Sequence, residues 1–175
     1  MRENYSLSWV SVLAQVSIIL PGKVLEELKR RAESEGKSLE ELIGEAVLRE
    51  TSTSDPAVKA ELHLMLCEKY LNEAKKFLEK KDYVQASEKA WEAASQIVKA
   101  IAASRNIELR SHGELYRFIM KLVREKGDDE IRRLWLSAIT LHQNFYENWL
   151  PPEMVKENIK DVEKFVEKLK AQLKK

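Results

Sequence analysis

Cysteine occurs once in these 175 residues, at Cys67, so no disulfide can form within the chain and no cysteine zinc cluster can assemble. Five glycines and four prolines leave few places where the backbone must turn, against the many turns of a β-sandwich or barrel. No apolar run approaches the roughly 20 residues that a helix needs to cross a bilayer. The N-terminus lacks a basic region followed by an apolar core, so a cytoplasmic protein is expected. Neither sign of charge prevails. Thirty basic side chains face 29 acidic ones, for a formal net charge of +1, and no global field announces a nucleic-acid binder. A phosphate loop, a dinucleotide fingerprint and a hydrolase nucleophile elbow are all missing, and nothing calls for a cofactor.

What is present is apolar content of 44%, enough for a real core, in a chain rich in Glu, Lys, Ala and Leu, which favour helices. The organising stretch is DYVQASEKAWEAASQIVKAIAAS, Asp82 to Ser104. Asp82 is a suitable helix cap. Ala86, Ala90, Ala94, Ile97 and Ile101 recur at spacings of three and four, and Tyr83, Trp91 and Val98 widen that face. Alanines let neighbouring backbones approach closely, and Trp91 fills the space they leave.

The N-terminal part has another pattern. Val16, Ile18 and Leu20 alternate with Gln15, Ser17 and Ile19, which predicts one short strand over 12–20, ended by Pro21 and Gly22. A helix with Leu28 and Ala32 on one face follows and closes at Gly36. Ser38 caps the next, with Glu41 completing a capping box. One strand and two helices cannot form a sheet, and no second strand is evident, so pairing with another subunit is the economical solution. Residues Val16 to Glu50, VSIILPGKVLEELKRRAESEGKSLEELIGEAVLRE, resemble the ribbon-helix-helix family of dimeric transcription factors and antitoxins. The resemblance implies a dimerisation unit over 12–50 and DNA-facing positions at Gln15, Ser17 and Ile19. This chain departs from the family in carrying no Arg or Lys there. Residues 1–54 hold seven basic against nine acidic side chains, a poor surface for phosphates.

The segment TSTSDP, 51–56, reads as a domain boundary, with Pro56 as the first residue of a helix capped by Ser54 or Asp55. Helices are then expected over 57–80, from Asp82, from Ser111 to Lys126, from Asp129 to Trp149, and over 153–174. The first two, joined by almost no loop, must run antiparallel. The fold class expected is mainly all-α: an antiparallel helical bundle over 55–175 preceded by a short strand-helix-helix unit.

Three segments of that bundle, EKYLNEAKKFLEKKDYVQASEKAWEAASQIVKAIA, SHGELYRF and LHQNFYENWLPPEMV, resemble the PaREP1 family of archaeal proteins, within the HEPN superfamily. The resemblance covers residues 57–174. It implies an oligomer, a dimer or tetramer, acting as an interaction or regulatory protein, with links to toxin–antitoxin systems. Many HEPN domains are metal-independent ribonucleases in which an Arg, four to six residues and a His form a composite site between two subunits. Arg105 and His112 keep that spacing, whereas Arg133 and His142 stand too far apart.

The candidate residues for such chemistry are His142, His112, Arg105, Arg133 and Tyr146, with imidazole as acid or base and arginine neutralising phosphate. Each histidine also has a structural reading: His112 docks the start of its helix, and His142 bonds across the bundle. His63 and Cys67, one turn apart with Glu68 nearby, do not complete a metal set. Trp91, Trp135 and Trp149 read as packing residues. Residues 105–133 carry eight basic against six acidic side chains, a bias that would attract RNA weakly. Three functions stay open at this point: a scaffold, a ribonuclease, and a DNA-binding regulator.

Overall fold

The computed structural model describes residues 15–52 and 54–173. Among them are seven helices: α1 Gly22–Ser34, α2 Leu39–Glu50, α3 Pro56–Glu79, α4 Tyr83–Ser104, α5 His112–Lys126, α6 Asp129–Glu147 and α7 Pro152–Leu173. The mainly all-α class follows directly, with no strand among the described residues. Residues 12–14 of the expected strand lie outside them. Residues 15–20 adopt no regular secondary structure, because a single chain supplies no second strand to close a ladder.

α4 is the axis of the bundle. It packs against α3, α5, α6 and α7. Ala86, Ala90, Ala94, Ile97 and Ile101 are all buried, as their spacing predicts, and burial extends to every residue of 93–103, Ala93, Ala100 and Ala102 included. A helix buried all round needs small residues wherever a neighbouring backbone approaches, which accounts for its alanine content. Larger side chains from the surrounding helices close the core: Tyr70, Ile119, Ile131, Leu141, Ile159 and Phe165.

Local chemistry sets the element ends. Asp55 accepts a hydrogen bond from the Ala57 amide at 2.8 Å, with Pro56 in the first turn of α3. Asp82 accepts from the Gln85 amide at 3.1 Å and starts α4. Between them Lys81 takes φ +59°, and the Asp82 amide donates to the Phe77 carbonyl at 2.9 Å. This closing motif reverses the chain in three residues and makes α3 and α4 antiparallel.

α6 ends two residues earlier than expected, at Glu147, and the reason is Asn144. Its Oδ1 accepts from the amides of Trp149 and Leu150, at 3.0 and 2.8 Å, and its Nδ2 donates to Ser87 Oγ at 2.9 Å. One fully buried amide thus caps the end of α6 and ties it to α4. Trp149 falls beyond the helix and is 52% exposed, contrary to its expected packing role, whereas Trp91 and Trp135 are buried.

The expected capping box at Ser38 forms only in part. Ser38 Oγ accepts from the Glu41 amide at 3.1 Å, as expected, but the Glu41 side chain does not return to Ser38. It points into the core, where its carboxylate accepts from Lys99 Nζ at 2.5 Å and Gln96 Nε2 at 2.7 Å. In α5, Ser111 Oγ accepts from the Glu114 amide at 3.3 Å, and Glu114 reaches one residue further back, to the Arg110 amide at 2.5 Å.

The N-terminal helices dock on the bundle through specific contacts. Ser38 Oγ and Tyr70 Oη lie 2.5 Å apart, Lys69 pairs with Glu40 at 2.6 Å, and Glu41 inserts toward α4. At Gly44 a Cβ would stand 3.0 Å from Leu62 Cδ1, so α2 and α3 approach more closely than a side chain there would allow without displacing Leu62.

Candidate functional site

His112 and His142, placed separately by the sequence, meet in the fold. His112 opens α5 and His142 lies in the penultimate turn of α6, and both rings rest on Trp91 of α4. The Trp91 and His142 rings stack with centroids 4.4 Å apart and an interplanar angle of 23°. His112 stands edge-on to both, 5.5 Å from Trp91 and 5.1 Å from His142. Tyr146, one turn after His142, adds an edge contact at 5.3 Å and is largely exposed. The α1–α2 turn borders the group, since a Cβ at Gly36 would lie 3.6 Å from His112 Nε2.

Both imidazoles are held neutral at pH 7. Burial lowers the His142 pKa to about 4, with the His112 charge adding to it. Burial lowers His112 as well, and the Lys99 ammonium contributes. A neutral imidazole offers one donor and one acceptor. His142 Nδ1 is buried and unpartnered, so the bond across the bundle expected for it is not formed; stacking on Trp91 takes its place.

The expected arginines are not at these rings. The Arg105 guanidinium pairs with Glu125 at 2.8 Å and lies over the Phe118 ring at 5.7 Å, which holds α5 against the end of α4. Arg133 is exposed, nine residues before His142 on α6, about 13 Å away at 1.5 Å per residue. Gln15, Ser17 and Ile19 are exposed at the N-terminal end of the described chain.

A second polar group went unrecognised in the sequence. Glu41 of α2 bonds Lys99 and Gln96 of α4, and Gln96 Oε1 lies 2.7 Å from His63 Nδ1 of α3. Because a carboxylate only accepts, Glu41 fixes the Gln96 amide with Nε2 toward itself and Oε1 toward His63. His63 Nδ1 must then donate, which places the neutral ring's lone pair on Nε2. Burial keeps His63 neutral by lowering its pKa. The only advance signal was the pair of polar residues, Gln96 and Lys99, within an otherwise apolar stretch of α4.

Cys67 is fully buried in the core and burial pushes its thiol up to about 12, so it is inert at neutral pH. Among the described residues no group of three His, Cys, Asp or Glu side chains could hold a metal ion, and no helix is long and apolar enough to cross a membrane.

Residues 62–166 match the archaeal PaREP1/PaREP8 family. The chain belongs to that family. The match runs from α3 through most of α7, so it contains α4 and the whole Trp91, His112, His142 and Tyr146 group. α1, α2 and residues 15–20 precede the PaREP1 region, while His63 and its partner Gln96 fall inside it. No curated protein and no solved structure matches the chain.

Proposed function

We propose that this protein is an oligomeric interaction or regulatory protein of the PaREP1/HEPN type, assembled through its N-terminal segment. The observation that carries the reading is the exposure of apolar side chains before α1. Val16 is 79%, Ile18 55% and Ile19 100% exposed in the single chain. Among the described residues, 15–20 make no backbone–backbone hydrogen bond. An unpaired extended apolar segment is a template for strand addition. A second copy satisfies it symmetrically: two such segments paired antiparallel form a two-stranded ribbon, with Val16, Ile18 and Leu20 on one face over the paired helices. DNA reading by this ribbon is disfavoured, because Gln15, Ser17 and Ile19 bring no cation to phosphate. Partner binding in a toxin–antitoxin setting needs none.

Sedimentation velocity tests the reading. The full chain should sediment as a dimer or tetramer, and Ile18→Pro, which removes a ladder donor, should halve its mass while the helical circular dichroism persists. A monomeric wild type, or an Ile18→Pro oligomer of unchanged mass, overturns it.

A second reading is favoured by the meeting of His112 and His142. Two imidazoles 5.1 Å apart suit a metal-independent ribonuclease. One takes the ribose 2′-hydroxyl proton as that oxygen attacks the adjacent phosphorus. The other protonates the departing 5′-oxygen, giving a 2′,3′-cyclic phosphate and a free 5′-hydroxyl. One of the pair must carry a proton, and both pKa values are lowered, so cleavage of a mixed RNA in the presence of chelator should rise below pH 7 and vanish in His142→Ala and His112→Ala. Absence of cleavage across pH 5–8, or cleavage that survives both substitutions, removes this reading and leaves the interaction role.

A further inference from the structure

A cavity of about 480 Å³ lies where α2 meets α3, α4 and the connection between α4 and α5. That is the size of a small-molecule site. Its floor is formed by Glu41, Lys99 and His63 of the buried network, its walls include Leu48, Leu62 and Leu109, and the exposed Arg49 and Lys59 also line it.

The hydrogen-bond and charge accounting of the lining residues is specific. The three carboxylates are all engaged: Glu41 with Lys99 and Gln96, Glu45 with Lys37 at 2.8 Å, and Glu108 with Arg110 at 2.8 Å. Arg49 and Lys59 form no ion pair among the described residues, although Lys59 acts on Glu108 through space. Four cationic side chains, Arg49, Lys59, Lys99 and Arg110, line the cavity against three carboxylates, and Arg49 and Lys59 are the two without an ion pair among the described residues. On the floor, His63 is 9% exposed, and its Nδ1 is committed to Gln96. His63 lines the cavity, and its Nε2, which carries the neutral ring's lone pair, makes no hydrogen bond among the described residues. That lone pair can accept a hydrogen bond from a ligand donor.

We propose that this cavity binds a small organic anion that carries an O–H or N–H donor on a compact apolar body. The anionic group, a carboxylate or phosphate monoester, rests on Arg49 and Lys59. The body covers Leu62 and its neighbours, and the donor reaches His63 Nε2. The site joins α2 to the bundle, so its occupancy would fasten the N-terminal helices to α3 and α4. It does not depend on whether two copies pair.

The test titrates the full chain with 4-hydroxybenzoate and, separately, 4-hydroxyphenyl phosphate, following the His63 imidazole resonance, which is assigned by its loss in His63→Gln. A saturable shift with a Kd of about 1 mM or tighter is expected for at least one anion, and the stronger arm identifies carboxylate or phosphate. Benzoate, which lacks the donor, and 4-hydroxybenzyl alcohol, which lacks the charge, should each bind about tenfold more weakly. The Arg49→Ala/Lys59→Ala double variant, changed only at exposed side chains and checked by its melting temperature, should lose about tenfold as well. The proposal is overturned if neither anion gives a saturable His63 shift, if the uncharged probe binds as tightly, or if the double variant binds unchanged.

Discussion

Lys99→Ala is expected to destabilise the protein by about 3–5 kcal/mol, a large share of the stability of any single domain. Lys99 is 7% exposed and Glu41 1%, and their ion pair is the most deeply buried of the described residues. Removing the ammonium leaves the Glu41 carboxylate in the core with only Gln96 as donor. The loss is the desolvation of an uncompensated charge rather than the value of the pair itself. A second substitution separates the two: in Glu41→Gln/Lys99→Met the charge is gone from both sides and Gln96 keeps an acceptor, so more than half of the loss should return. Urea denaturation of the wild type, Lys99→Ala and the double variant measures this. If Lys99→Ala costs less than about 1 kcal/mol, water reaches the pair and the seam between α2 and α4 is not closed as described. The same substitution should raise the His112 pKa, since Lys99 helps to lower it.

Glu41 also shows what the sequence could and could not disclose. Ser38 followed by Glu41 is a local pattern, and the local half of it holds: the serine caps α2. The carboxylate's partners lie 55 and 58 residues away on α4, and no short-range pattern reports a contact of that range. The bundle was legible because its signals are local and repeated: the alanine rhythm of α4, the aspartates before α3, α4 and α6, and the absence of loop between α3 and α4. The histidine group was half legible. His112 and His142 could be named one by one, since imidazole is rare here, but their meeting depends on Trp91, whose ring both share. The N-terminal segment was legible only as a period of two. That period says which side chains share a face, while the ladder that would make it a strand needs a second chain.

Glu92→Gln and His142→Phe should move stability in opposite pH ranges, and each sign follows from where the fold holds its protons. Burial raises the Glu92 pKa to about 7 despite the Lys89 ammonium at 2.7 Å. Between the ordinary carboxylate range and pH 7 the fold keeps a proton that the unfolded chain has released, so this group makes stability fall as pH rises, and the full cost stands above pH 7. An uncharged isostere removes that cost while still accepting from Lys89. Glu92→Gln should therefore be about 2–3 kcal/mol more stable than wild type at pH 8 and equal to it near pH 4. For His142 the fold declines a proton that the unfolded chain takes up between its ordinary value and about 4, so stability is lost as pH falls through that window. Phenylalanine keeps the ring on Trp91 and cannot titrate. His142→Phe should match or exceed wild type at pH 7 and exceed it by about 2 kcal/mol near pH 4.5. In the wild type the two effects oppose each other. His63 and His112, also lowered, add to the acid side, so the stability maximum belongs near pH 6.5. Thermal melts of the three proteins from pH 4 to 8 decide this. Parallel curves for Glu92→Gln and wild type would mean that Glu92 is ionised in the fold throughout, with Lys89 outweighing burial.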